Sequence, residues 1–218
     1  MMALWCGVAE AQEPVVVGTE LVLALDSSAS VDRKEFQLQL DGLAQAFRDP
    51  EVLQAVENLK PLGVAVAVTQ WGGPGETRIV LPFEFLGSAR DAKAFGFRAS
   101  LIRRWMRASS TSIATGILDS AALIATNDYE GYRKIIDISG DGRDNSNVDL
   151  AAARDAARKA GIVINGLPIM AGDEGLAAYY ESSVIVGADA FAEPARDFDD
   201  FARAIKEKLL KELRPLGS

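Results

Sequence analysis

The sequence predicts an α/β fold: a doubly wound, mostly parallel sheet with one antiparallel hairpin strand and helices on both faces. Three observations predict it. Residues 21–25 form an unbroken apolar run that stops at Asp26, the pattern of a strand covered on both faces, as in parallel sheets. Such runs alternate along the chain with segments of helical period, which implies βαβ units with right-handed crossovers. The cluster Gly72-Gly73-Pro74-Gly75 divides two strand-like runs and marks a hairpin turn.

The elements follow in order. After the first strand, Phe36, Leu40, Leu43 and Phe47 fall at steps of four, three and four, one stripe of an amphipathic helix that ends near Asp49-Pro50. A second helical piece covers residues 51–59. Residues 62–68 then read as a β-branched strand, and residues 78–85 as the return strand of the hairpin. Residues 89–106 read as a helix, and Ile113, Ile117, Ala121 and Ile124 begin another behind the polar run 109–112, which supplies a cap. An apolar strand at 133–139 leads through a Gly/Asp/Asn loop to an Ala-rich helix at 149–160, closed by Gly161. A strand at 162–167 stops at Pro168. The tail predicts a short helix at 176–180, a short strand at 184–186 or 190–191, and a last amphipathic helix carrying Phe198, Phe201, Ile205 and Leu209. No internal repeat or low-complexity linker interrupts this series, so residues 15–213 are expected to form one domain.

Composition excludes several classes of chemistry. The 218 residues include no histidine, which removes Ser-His-Asp and Cys-His nucleophile pairs and imidazole metal sites. A single cysteine, Cys6, cannot build a disulfide, an iron–sulfur cluster or a Cys-type zinc site. Any metal must therefore be held by oxygen. With 23 Lys+Arg against 31 Asp+Glu the net charge is -8, so no diffuse attraction for nucleic acid or an anionic membrane is expected. No stretch reaches the roughly 18 apolar residues of a spanning helix. Residues 1–9 are mostly apolar and uncharged and lead into Ala9-Glu10-Ala11, a small-x-small pattern. Residues 1–11 therefore read as the remnant of a secretory signal, and the protein as periplasmic or secreted.

In open α/β sheets ligands bind outside the carboxyl ends of the strands. The loop after the first strand reads Asp26-Ser27-Ser28-Ala29-Ser30, so positions 26, 28 and 30 offer a carboxylate and two hydroxyls to one side. On the same expected edge lie Thr111, before a helix, and Asp141, in Ser139-Gly140-Asp141-Gly142 after a strand. All five are oxygen donors suited to a hard divalent cation, which takes such ligands and keeps water or a further ligand where the protein leaves a position open. Mg²⁺ is the first expectation, with Mn²⁺ and Ca²⁺ as alternatives.

Asp-x-Ser-x-Ser after the first strand, a Thr before a middle helix and Asp-Gly after the next strand together resemble the von Willebrand factor type A (vWA) family. The resemblance runs from about Val15 to the last helix, and it implies that family's Rossmann-like fold and a metal-ion-dependent adhesion site. It matches Asp26, Ser28 and Ser30 to the first loop of that site, Thr111 to the second and Asp141 to the third. It further implies a protein partner that places an acidic side chain on the cation, and no enzymatic activity. The run 137–142, with Ile164-Asn165-Gly166-Leu167-Pro168 and Tyr179-Tyr180, looks like a bacterial group of that superfamily whose function is undefined. Two features depart from the family pattern. The second loop lacks the Gly that often adjoins the Thr, leaving Ser110 and Ser112 as competing ligands, and Gly140 stands where many relatives have Thr.

Each motif also has a purely structural reading. Asp26-Ser27-Ser28 alone suffices to cap a helix, and Asp141-Gly142 alone suffices to make a turn; it is their expected convergence with Thr111 that favours a metal site. Asp137 reads as a structural carboxylate bonded to nearby backbone, and Asp144, Asn145 and Asn147 as loop and cap residues. Trp71 reads more readily as a packed rim residue than as the frame of a partner site, and Arg103, Arg104 and Arg107 as a solvated helix face. Neither a G-x-x-x-x-G-K-S/T nor a G-x-G-x-x-G loop is present. The alternative function is a Mg²⁺-dependent phosphoryl-transfer enzyme with Asp26 as nucleophile. Such enzymes usually carry a second acid two residues on, where Ser28 stands here.

Overall fold

The computed structural model describes residues 13–105, 110–215 and 217. The expected signal remnant at residues 1–11 and the end of the 89–106 helix lie outside the described residues. Five strands, β1 (Val15–Asp26), β2 (Val64–Trp71), β3 (Thr77–Leu86), β4 (Tyr129–Gly140) and β5 (Ile162–Pro168), form one sheet in the order β3-β2-β1-β4-β5. β2, β1, β4 and β5 are mutually parallel, and β3 is antiparallel to β2, with Trp71 opposite Thr77 at the hairpin. This is the doubly wound mixed sheet expected from the sequence.

β1 shows why the sheet is covered twice. Its odd residues Leu21, Leu23 and Leu25 enter a core shared with α1 (Arg33–Ala46), α2 (Pro50–Asn58), α3 (Ala89–Ser100) and α7 (Phe201–Glu212). Its even residues Val22 and Ala24 enter a second core with α4 (Ile113–Ala125), α5 (Leu150–Lys159) and α6 (Leu176–Ser183). Period-2 alternation inside an all-apolar strand thus feeds two hydrophobic layers. The first five helices begin on capping side chains: Asp32, for example, accepts from the Glu35 amide in a reciprocal capping box, and Ser112 accepts from the Thr115 amide at the start of α4.

Three local expectations are corrected. Residues 89–106 do not form one helix, because α3 stops at Ser100 and, after a last turn closed by the Ile102 amide on the Ala99 carbonyl (3.2 Å), residues 103–105 run on in non-helical backbone. The backbone there is taken by a long-range partner: Gln70 donates to the Arg103 carbonyl (2.8 Å) and accepts from the Trp105 amide (2.9 Å). The tail strand is reduced to isolated bridges, Ile164 with Val186 and Gly166 with Ala192. Asp137 is not held by backbone. It faces α7, where the Lys208 ammonium lies 3.1 Å from its carboxylate and also pairs with Glu212, all three buried. Burial pushes the Asp137 carboxyl up to about 7 against the pull of Lys208.

Candidate metal centre at the carboxyl ends of β1 and β4

The strand order reverses around β1, with β2 on one side and β4 on the other, so the carboxyl ends of β1 and β4 flank the switch point where open sheets bind ligands. Asp26 is the last residue of β1 and Gly140 the last of β4. Asp26 is fully buried. Its Oδ1 accepts from the Ser28 amide (2.8 Å), and its Oδ2 has no hydrogen-bond partner among the described residues. The Ser28 and Ser30 hydroxyls are 3.2 Å apart, and Ser30 Oγ donates to Asp141 Oδ1 at 2.7 Å. Thr111 approaches the same loop: a β-carbon on Gly142 would stand 3.8 Å from Thr111 Oγ1. Four of the five expected residues are thus linked through Asp26, Ser28, Ser30 and Asp141, and Thr111 borders them.

Neighbours fix these groups. Trp71, fully buried on β2, donates from its indole nitrogen to the Ala24 carbonyl (3.1 Å), and Ser27 Oγ donates to the Trp71 carbonyl (3.2 Å). The packed reading of Trp71 holds. Asn145 Oδ1 accepts from the Thr111 amide (2.8 Å) while the Asn145 amide donates to the Thr111 carbonyl (3.0 Å), so Asn145 positions the second loop. Asp144 accepts from the Ala114 amide and from Ser146, at the start of α4. Ser112 Oγ is engaged with Thr115 and Ser146 as a helix cap, so Thr111 is the better candidate donor of the two.

The missing third-loop side chain also has a physical reason. A β-carbon on Gly140 would come within 2.8 Å of Asp26 Oδ2, 3.0 Å of the Tyr180 hydroxyl and 3.1 Å of the Trp71 ring. The space that a threonine would use is filled by Tyr180, from α6, and by Trp71. Tyr180 reaches it because Gly166 lets its ring lie against β5, where a β-carbon would be 2.6 Å from Tyr180 Cδ1. Its hydroxyl is buried and, like Asp26 Oδ2, unpartnered among the described residues. Sequence reasoning singled out Gly166 and Tyr180 without giving them a role; the pairing of a large ring with two distant glycines shows only in three dimensions.

Burial raises the Asp26 carboxyl to about 7, eased by the hydrogen bonds from Ser28. Desolvation also raises Asp141, with the Ser30 hydroxyl opposing, and raises the Tyr180 phenol well above its usual value. A buried carboxylate oxygen with nothing to bind is costly unless a charge of opposite sign lies beside it. The donors here, two carboxylates and three hydroxyls grading from buried Asp26 to exposed Ser30, fit a hard cation open to solvent on one side. Among the described residues no cluster of three or more Asp, Glu, His or Cys is placed to hold a metal, so any cation here must rely on the hydroxyls.

The doubly wound sheet with these loops at its carboxyl edge has the fold of vWA domains. The sequence profile of a family described as "Protein of unknown function (DUF1194)" matches residues 16–216, and the chain belongs to that family. Among solved structures, proximal thread matrix protein 1 of the mussel byssus superposes with a TM-score of 0.63 at 16% identity, covering 93% of this chain and 47% of that one. A further structure of the mussel protein is described as having a zinc-occupied MIDAS motif. The von Willebrand factor type A protein of Catenulispora acidiphila gives 0.61 at 15% identity, covering 90% and 43%. The vWF domain of the pilus tip protein Mfa5 of Porphyromonas gingivalis gives 0.57 at 12% identity, covering 88% and 96%. At these identities the likeness is one of fold. The chain spans about half the length of the mussel protein. No curated protein sequence matches it.

Proposed function

We propose that residues 15–213 act as one metal-dependent protein-binding module, without enzymatic activity, in which Asp26, Ser28, Ser30, Thr111 and Asp141 hold a divalent cation. The observation that carries this reading is the buried, unpartnered Asp26 Oδ2 at the inner end of a chain of oxygens that runs through Ser28 and Ser30 to Asp141. Mg²⁺ suits the hard oxygen set best, with Mn²⁺ and Ca²⁺ as alternatives. The cation supplies an attractive point for an anion at a position that the protein leaves open. Asp26 and Asp141 provide the compensating charge, while the hydroxyls orient water and leave the shell close to neutral. A partner carboxylate is then the natural incoming ligand.

Further support comes from the adhesion and matrix proteins among the structural neighbours and from the zinc-occupied site of one of them. No described helix is long and apolar enough to cross a membrane. The module is proposed to work in the periplasm or outside the cell, as the apolar start of the sequence suggests. The test is calorimetric titration of Mg²⁺ into the full chain and its Asp26→Ala variant. The wild type binds and the variant, folded by circular dichroism, does not; equal affinity in both refutes the assignment. Turnover of a generic phosphate ester that vanishes in Asp26→Asn would instead favour phosphoryl transfer.

A further inference from the structure

The rim beside the oxygen cluster is built in a way that metal binding does not require. Residues 101–105 leave α3 and run along the carboxyl end of β2, clamped by the two Gln70 hydrogen bonds. Arg104 turns inward and donates to the carbonyls of Ser27 (3.0 Å) and Ser28 (2.8 Å), tying this segment to the first loop of the site. The alternate residues Leu101, Arg103 and Trp105 are exposed, Leu101 at 63% and Trp105 at 54%. Arg78, at the start of β3 and opposite Gln70 in the ladder, holds its guanidinium 4.5 Å from the centre of the Trp105 ring. Between β3 and this segment lies a groove of about 490 Å³ lined by Arg78, Ile79, Leu101, Ile102, Arg103 and Trp105, with no acidic side chain among the described residues of its lining.

Two facts indicate what covers it. An exposed tryptophan and leucine lining one groove from a clamped segment, rather than from a free tip, form a preorganised apolar surface of the kind found at protein interfaces. In a chain of net charge -8, Arg78 and Arg103 face this groove's mouth without an ion-pair partner among the described residues. Charges are screened beyond about 8–10 Å at physiological salt, so a ligand in the groove meets these cations rather than the acidic remainder of the surface. The complement is anionic and partly apolar.

We propose that the groove binds an acidic segment of a partner protein. On the metal reading above, on which this inference rests, one carboxylate of that segment reaches the cation. Further carboxylates meet Arg78 and Arg103, and an apolar side chain covers Trp105. Arg104 makes the two regions one surface, because the loop that presents Ser28 is the loop that it holds.

The test uses the full chain with Mg²⁺ and a fluorescein-labelled ten-residue oligoglutamate, with oligoglutamine of equal length as control, read by fluorescence anisotropy at low salt. The expected result is binding of oligoglutamate alone, weakened about tenfold in Arg78→Gln/Arg103→Gln and steeply by added salt, as rim charges behave. The variant alters only exposed side chains and keeps its Mg²⁺ affinity in calorimetry. Oligoglutamate binding that chelator abolishes but the double variant leaves unchanged overturns the groove and keeps the metal site. Binding that the double variant loses but chelator leaves intact keeps the groove and refutes the metal reading. No binding to the wild-type chain overturns the groove.

Discussion

Replacing Gly140 by alanine probes how tightly the end of β4 is packed against the proposed site. Gly140 is absent from the residues with positive φ, so its backbone accepts a side chain without strain, and the cost of the change lies in the space a methyl group would need. That methyl would meet Asp26 Oδ2 at 2.8 Å, the Tyr180 hydroxyl at 3.0 Å and Trp71 Cζ2 at 3.1 Å. None can retreat cheaply: the other Asp26 oxygen is bonded to the Ser28 amide, the Tyr180 ring rests on Gly166, and the Trp71 indole is bonded to the Ala24 carbonyl. Overpacking of this kind costs about 1–3 kcal/mol, against a gain of about 0.4–1 kcal/mol from stiffening the unfolded chain, leaving a net loss of about 1–2 kcal/mol. Because the nearest atom is a proposed ligand oxygen, Mg²⁺ affinity should fall about tenfold as well, the effect expected when a ligand's support is disturbed. Urea denaturation with an unchanged m-value gives the first quantity and calorimetric titration the second. Stability within about 0.5 kcal/mol of wild type together with unaltered Mg²⁺ affinity would refute this account of why the third loop carries glycine.

Two further outcomes are expected. Lys208→Met leaves the buried Asp137 and Glu212 carboxyls without their shared cation and should cost about 3–5 kcal/mol, recovered in part by adding Asp137→Asn; a loss below about 1 kcal/mol in urea denaturation contradicts the network. In chelator, stability should depend on pH through Asp26, whose folded value of about 7 lies above its unfolded value near 3.8. Between these values the folded state holds the extra proton, so stability falls as pH rises from about 5 to about 7, by an amount on the order of a few kcal/mol. Asp137 acts with the same sign, so Asp26→Asn flattens the fall only in part, whereas saturating Mg²⁺, which binds the ionised Asp26, also reduces it. Melting temperatures that stay level or rise over that range in wild type would count against the buried, unpaired state of Asp26.

Much of this architecture was legible because its signals are local. The all-apolar run of β1, the helical stripe of α1 and the cap supplied by the polar run that ends at Ser112 each act within a few positions, and together they imply the doubly wound sheet. The candidate donors were legible for a topological reason: Asp26 and Asp141 follow directly after strands, where such sheets present their loops to ligands. What escaped depends on distant partners. The helix expected over 89–106 ends early because Gln70 and Arg104 tie residues 103–105 to β2 and the first loop. Asp137 finds Lys208 from the last helix, a pairing that no spacing near Asp137 indicates. Tyr180 acquires its place only when Gly140 and Gly166 come together beneath it.

The central claim, that five side chains from three loops hold one divalent cation, is tested most directly by anomalous scattering from crystals of the full chain soaked in Mn²⁺. The account predicts a single strong peak at the carboxyl ends of β1 and β4, with direct protein ligands drawn from Asp26, Ser28, Ser30, Thr111 and Asp141 at about 2–2.5 Å and the remaining members of the set joined to the ion through water. A peak elsewhere, or an Asp26 carboxylate still unpartnered in Mn²⁺-saturated crystals, would contradict it.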